Sequence, residues 1–367
     1  MQSVNQPWRG GGLRHGTRGN LAVAAAAIAV IAIVAAVVGG TILGGSASPA
    51  PSGSKLGSTL PTVPARATPR GSAATSPSST GLVSAAASIA TATANPAAPL
   101  PSLLGAIGDS YSQGYSVSPS FLRDHIGFSW AIGSTRNDGV FSLYERFKAV
   151  GGSPTVVDAA TSGRQMKDAP RQANLVVAAA KKLKPGQIAY VTFELGTNDL
   201  CADPDPKTDP VSFEADLATA ISTLRSGLPA GSRILMLPVP DFAHFHDITQ
   251  ASPAARANLA LPQNSYRCPP YLGDSGPFSR AQADDYLARY DAALETACRT
   301  ISTIDSPSGK LYCTYNSTLL ADADFRIADL STVDFFHPSL SGQAKMAANA
   351  WAADVWSGVP IPKGAAQ

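Results

Sequence analysis

From Ser102 onward, short apolar runs alternate with longer runs of helical spacing, and this alternation constrains the chain more than any other feature. Ser102–Ile107 is an apolar run ending at Gly108 and reads as a buried strand. Pro154–Asp158, Gln187–Glu194, Arg233–Val239 and Lys310–Tyr315 read as four further strands. Between them lie helical patterns at Phe141–Val150, Ala169–Leu183, Pro210–Leu228 and from a capping Ser279 to about Ile301, with a last helix at Ser341–Trp356. Strands that alternate with helices build a parallel sheet covered on both faces. The expected fold class is therefore α/β: three layers, α/β/α, around a central, mostly parallel five-stranded sheet. In such sheets ligands bind beyond the carboxyl ends of the strands, which is where Ser110 and Asn198 fall.

That domain occupies residues 101–367, and the front of the chain is of another kind. No Asp or Glu precedes Asp109, and the first hundred residues carry only Arg9, Arg14, Arg18, Lys55, Arg66 and Arg70. The remaining 22 basic residues face all 26 acidic ones, so the domain is net about −4 although the whole chain is +2. That balance argues against nucleic acid as a partner of the folded part. Leu21–Leu43 is uncharged and apolar, and as a helix it would span about 35 Å, enough to cross a bilayer. Three arginines before it, with only Lys55 closely after, place residues 1–20 in the cytoplasm and the remainder outside. The expectation is an uncleaved signal anchor at 21–43. The alternative is a cleaved signal peptide with a site near Gly45-Ser46-Ala47, which would release a secreted domain. Residues 46–100, rich in Pro, Ser, Ala and Thr, have almost nothing to bury and read as a disordered linker that holds the domain off the membrane, within reach of cell-wall polymer.

Cys201, Cys268, Cys298 and Cys313 all follow the apolar segment, and an even count outside the cell favours two disulfides. Of three possible pairings, Cys201–Cys268 would tie the loop after a strand to a long excursion, and Cys298–Cys313 would close a short loop between a helix and the next strand. No Cys-x-x-Cys pair suggests a metal.

Three stretches carry the chemistry: Gly108-Asp109-Ser110, Gly196-Thr197-Asn198-Asp199 and Asp334-Phe335-Phe336-His337-Pro338. A serine hydroxyl is a poor nucleophile without a base within hydrogen-bond reach. His337 is the best base among five histidines, and Asp334, three residues earlier, lets one short loop present both imidazole and orienting carboxylate.

With these motifs the chain resembles the SGNH (GDSL) hydrolase family over about residues 103–357. The family's first block corresponds to Gly108-Asp109-Ser110-Tyr111-Ser112-Gln113-Gly114, its second to Gly163, its third to Gly196-Thr197-Asn198-Asp199 and its fifth to Asp334-Phe335-Phe336-His337-Pro338. The resemblance implies a flavodoxin-like sheet, a catalytic set of Ser110, Asp334 and His337, and no cofactor or metal. It also implies an oxyanion hole of the Ser110 and Gly163 backbone N–H groups and the Asn198 amide. Donors preorganised at developing charge are usually the largest catalytic contribution. Asp109 and Asp199 read as loop-shaping carboxylates. A finer resemblance, through Arg123, Gly127–Gly133 with Trp130, Asn198-Asp199-Leu200-Cys201 and Cys268-Pro269, is to the phospholipase B-like branch, which implies a lipid acyl ester as substrate; the competing reading is that Trp130 packs over the sheet.

Pro240–Phe278 is long, contains Phe242, Phe245, Tyr266 and Tyr271, and reads as an acyl-pocket wall or lid. His244 and His246 lack a third ligand and read as surface loop histidines. The leading expectation is an extracytoplasmic, membrane-tethered serine esterase or lipase acting on a lipid or small-molecule ester. Alternatives are an O-acetyl or acyl esterase or acyltransferase on cell-wall polysaccharide, and a non-catalytic wall-binding module.

Overall fold

The computed structural model describes residues 98–117, 123–201, 208–264, 267–269, 271–272, 279–317 and 325–362. The expected membrane segment at 21–43, nearly all of the linker, and Tyr266 lie outside the described residues. Among the described residues, no helix is long and apolar enough to cross a membrane.

Five strands form one sheet: β1 (Leu103–Gly108), β2 (Thr155–Asp158), β3 (Ala189–Glu194), β4 (Arg233–Met236) and β5 (Tyr312–Tyr315), in the order β2-β1-β3-β4-β5. Every neighbouring pair is parallel, so the sheet is more uniform than the mostly parallel one expected. All six residues of β1 and all six of β3 are buried, as central strands covered on both faces require. The edge strand β2 is largely exposed.

Among the described residues, eight α-helices accompany the strands: α1 (Leu143–Ala149), α2 (Ala169–Ala180), α3 (Thr197–Cys201), α4 (Pro210–Gly227), α5 (Phe242–Ala251), α6 (Pro253–Leu259), α7 (Arg280–Thr303) and α8 (Leu340–Ala352). On one side α2 packs on α4 and α4 on α7. The apolar series Phe213, Leu217, Ile221 and Leu224 makes the buried stripe of α4, and Phe213 stacks on Tyr290 of α7 with ring centroids 4.1 Å apart. On the other side α1 meets α8, where Phe147 lies edge-on to Tyr190 of β3, Trp351 and Trp356. Local signals set the helix starts. Ser279 accepts from the Gln282 N–H while Gln282 reaches back, a capping box at the expected residue. Asp209 caps α4 with Pro210 at its first position.

The last helix starts at Leu340 under a Ser339 cap and stops at Ala352, four residues before the expected end, in the turn that seats Trp356 against the Ala98 carbonyl. The stretch read as a long loop at 240–278 holds two helices. Asp241 caps α5, and Ser252 with Pro253 opens α6. Phe242 and Phe245 are fully buried there. Phe242 stacks on Phe336, and Phe245 on Phe325, so these aromatics anchor α5 to the loop before α8 and do not wall an open acyl pocket. Both disulfides form as expected, Cys201–Cys268 and Cys298–Cys313. The first fixes the end of α3, the second ties α7 to β5.

Candidate active site

Ser110 sits just beyond the carboxyl end of β1. Gln172 of α2 clamps that end, accepting from the Gly108 N–H at 2.8 Å and donating to the Gly108 carbonyl at 3.0 Å. The chain then turns helically, with the Gln113 N–H donating to Asp109 and the Tyr115 N–H to Ser110. The Ser110 side chain projects from that turn, nearly buried.

His337 comes from the loop before α8, 227 residues away in sequence, and its Nε2 lies 2.9 Å from Ser110 Oγ. Its Nδ1 lies 2.7 Å from Asp334 Oδ2. The other carboxylate oxygen accepts the Phe336 and His337 N–H groups, both at 3.1 Å. This loop turns sharply at Phe335, whose φ is +47°, and closes where the Ser331 N–H donates to the His337 carbonyl. Three further bonds fix it against the Ser110 turn. The Tyr111 hydroxyl donates to the Phe336 carbonyl at 2.8 Å, the Ser331 hydroxyl to the Ser116 carbonyl at 2.6 Å, and the Gln343 amide of α8 to the Tyr111 carbonyl at 3.1 Å. Burial alone would raise the Asp334 carboxyl, but the facing His337, with its hydrogen bonds, and the charge of Arg267 hold it below the usual carboxylate range. The arrangement orients an imidazole with one nitrogen toward a carboxylate and the other toward a hydroxyl.

Gly163 lies in the turn after β2 with φ +77°. Asn198 lies in α3, beyond the end of β3, and its amide donates at 3.0 Å to Asp109 Oδ2 and at 3.0 Å to the Arg164 carbonyl. The fold thus gathers Ser110, Gly163 and Asn198, since the Asn198 amide bonds the immediate neighbours of the other two. The two loop-shaping aspartates bond backbone N–H groups as read from sequence: Asp109 takes the Tyr111 N–H at 2.9 Å, and Asp199 the Met166 N–H at 2.8 Å. Burial pushes Asp199 up to about 6 and raises Asp109 as well, the latter with the Asp199 charge adding to it.

Sequence reasoning passed over Gln172, Gln343 and Glu194. Each had a signal: a glutamine on the apolar face of an amphipathic helix, or a carboxyl closing an apolar strand, is a polar group in a place that must supply it with partners. Trp130 is fully buried in the core and its backbone N–H donates to Gln343, so its side chain is taken up in packing. The two histidines of the His-x-His pair lie on α5. His244 donates from Nε2 to the Phe325 carbonyl at 2.6 Å, while His246 Nδ1 faces Asp247 at 3.1 Å. Among the described residues no group of three or more His, Cys, Asp or Glu side chains is arranged to hold a metal ion.

The fold therefore places a hydrogen-bonded Ser–His–Asp set at the carboxyl edge of a parallel α/β sheet. The sequence profile described as "GDSL-like Lipase/Acylhydrolase family" matches residues 106–345. The chain belongs to this family and is a carboxylic ester hydrolase. No curated protein matches it by sequence. Among solved structures it is similar to TesA, at 18% identity over 68% of this chain and 97% of that one, with a TM-score of 0.39. It is also similar to the psychrotrophic esterase EstA from Pseudoalteromonas sp., at 14% identity over 69% and 96% of the two chains, TM-score 0.38. A third is a lipase/acylhydrolase from Enterococcus faecalis, at 14% identity over 67% and 91%, TM-score 0.37.

Proposed function

We propose that the protein hydrolyses carboxylic esters through an acyl-enzyme on Ser110. The observation that carries this reading is the continuous line from Asp334 through His337 to Ser110, at 2.7 and 2.9 Å. His337 Nε2 takes the Ser110 proton as Oγ attacks the ester carbonyl carbon. Asp334 fixes the tautomer that leaves Nε2 free to accept and stabilises the imidazolium that forms. The carbonyl oxygen, now negative, is held by the backbone N–H groups of Ser110 and Gly163 and by the Asn198 amide, whose second N–H leaves the Arg164 carbonyl for it while the first stays on Asp109. His337 then returns the proton to the departing alcohol. Water, activated by the same imidazole, attacks the acyl carbon and frees Ser110 with release of the acid. Every proton is passed between His337 and the reactants, so the cycle needs no cofactor.

The resemblance to phospholipase B-like enzymes implies a lipid acyl ester. The burial of Trp130, Phe242 and Phe245 favours a different substrate, a short acyl group on a polar alcohol such as an O-acylated sugar, because these side chains are committed to packing. We further propose that the domain works outside the cytoplasm. Two disulfides and the apolar segment at 21–43 behind three arginines support that placement.

The test is hydrolysis of p-nitrophenyl esters of increasing chain length by the wild-type protein beside Ser110→Ala. Loss of the serine should cost on the order of 10⁶ in turnover. Activity highest on acetyl and falling with length supports the short-acyl reading, and activity rising with length supports the lipid ester. Equal inactivity of both proteins on every ester refutes hydrolysis through Ser110.

A further inference from the structure

Glu194 closes β3 and is nearly inaccessible, at 1% exposure. It pairs in register with Gly108, the last residue of β1. The strand has no need of a carboxyl there, since its other five residues are Ala, Tyr, Val, Thr and Phe. A buried carboxyl is costly unless its oxygens are used, and those of Glu194 are directed at the nucleophile turn. Oε2 accepts from the Ser112 hydroxyl at 2.9 Å and approaches the Asp109 N–H at 3.5 Å. Residues 109 and 112 flank Ser110 on either side. Asp109 in turn holds the Asn198 amide at 3.0 Å. One buried side chain therefore stands behind both the serine that attacks and the amide that receives charge.

We propose that Glu194 is a positioning residue for ester hydrolysis, fixing the Ser110 turn directly and the Asn198 amide through Asp109. This rests on the acyl-enzyme reading above and adds a residue outside the family motifs. The charged and titratable groups around Glu194 are Asp109, with Asp199 beyond it, and Tyr111. Burial first, and then the Asp109 charge, raises the Glu194 carboxyl well above its ordinary range. If protonated, it would present an O–H as well as acceptor oxygens and could donate to the Asp109 carboxyl while accepting from Ser112. A glutamine has the same shape and the same combination of donor and acceptor; a leucine has the shape alone.

The experiment measures the rate at which a fluorophosphonate labels Ser110 in wild type, Glu194→Gln, Glu194→Leu and Ser112→Ala. The serine oxygen bonds phosphorus, fluoride leaves and His337 takes the proton, so the rate reads the nucleophile without requiring a known substrate. kcat and KM on a p-nitrophenyl ester are taken beside it. The expected result is labelling within about threefold of wild type for Glu194→Gln and slower by more than about thirtyfold for Glu194→Leu, with the loss in kcat and KM moving little. A glutamine variant as slow as the leucine variant, or a leucine variant as fast as wild type, overturns the proposal. If Glu194→Leu does not fold, Ser112→Ala decides: a loss of about threefold or more supports the role and an unchanged rate overturns it. Wild type that takes no label on Ser110 refutes the acyl-enzyme reading itself, which is a different outcome from equal labelling of wild type and variants.

Discussion

Replacing Asp334 by asparagine separates the orienting role of this carboxylate from its structural one. Asp334 uses its two oxygens differently: Oδ1 accepts two backbone N–H groups at 3.1 Å, while Oδ2 accepts from His337 Nδ1 at 2.7 Å. An asparagine keeps a carbonyl for the backbone pair, so the loop keeps its fold. Its NH₂ then faces Nδ1 and donates to it, which moves the ring proton to Nε2. A protonated Nε2 donates to Ser110 and cannot take its proton, and no carboxylate remains to stabilise an imidazolium. The expected loss in kcat is about 10⁴, or about 5.5 kcal/mol of transition-state stabilisation. Asp334→Ala removes the acceptor too and leaves two buried N–H groups unpartnered, at about 1–3 kcal/mol each. For a domain of this size that lowers Tm by roughly 5–20 °C. The assay is kcat on a p-nitrophenyl ester together with thermal denaturation of wild type, Asp334→Asn and Asp334→Ala. An asparagine variant that keeps more than a tenth of wild-type kcat refutes the reasoning. So does one that melts as early as the alanine variant.

Gly196 and Gly163 both have positive φ, +135° and +77°, yet a Cβ at Gly196 would lie 2.4 Å from Val239 Cγ2 while one at Gly163 would meet nothing within 4 Å. Chemical denaturation should show Gly163→Ala destabilised by only about 1–2 kcal/mol and Gly196→Ala by more than about 3 kcal/mol. Removing the Cys298–Cys313 bridge as a double serine variant opens a loop of sequence separation 15 and should cost about 3 kcal/mol of stability in the same measurement. The pH dependence has a defined sign. Asp199 and Asp291, both lifted by burial from 3.8 to about 6, bind protons more tightly in the folded chain than in the unfolded one. They therefore make stability fall as pH rises from about 4 to 7. The lowered Asp334 acts the other way, its contribution being lost as pH drops below the ordinary carboxylate range. Tm should peak at about pH 4–5, and Asp291→Asn, which keeps an acceptor for the Val239 N–H, should flatten the decline toward neutrality; a Tm that climbs steadily to pH 8 would contradict this.

The strands were legible as short runs rich in apolar and β-branched residues, and all five lie at the expected segments, β4 ending at Met236, three residues before the expected Val239. Helix starts were legible wherever a capping side chain announced them, as at Ser279. α5 and α6 were not, because Phe242, His244, Phe245 and His246 mix aromatic and polar residues without a clean stripe. Phe242 of α5 stacks on Phe336 of the His337 loop, a contact distant in sequence that no local period encodes. Ser110, His337 and Asp334 could be read because the chemistry demands those residue types. Gln172, Gln343 and Glu194 showed in the sequence only as polar residues in apolar places; their roles were not legible, because a supporting amide or acid is defined by its neighbours in space. The assignment of Trp130 to packing or substrate turned on burial, which composition does not supply.

The sequence separation of 227 between Ser110 and His337 also sets a clock. At about 5–20 residues per second, the nucleophile leaves the ribosome roughly 10–45 s before its base. Over that interval the growing chain holds a serine with no partner to activate it, and it cannot attack the esters it passes. On the acyl-enzyme reading proposed above, the site is complete only once the loop that carries Asp334 and His337 closes onto β1. Any proteolytic nick or misfolding of α8, whose Gln343 secures that closure, would disarm the protein while leaving the nucleophile strand intact.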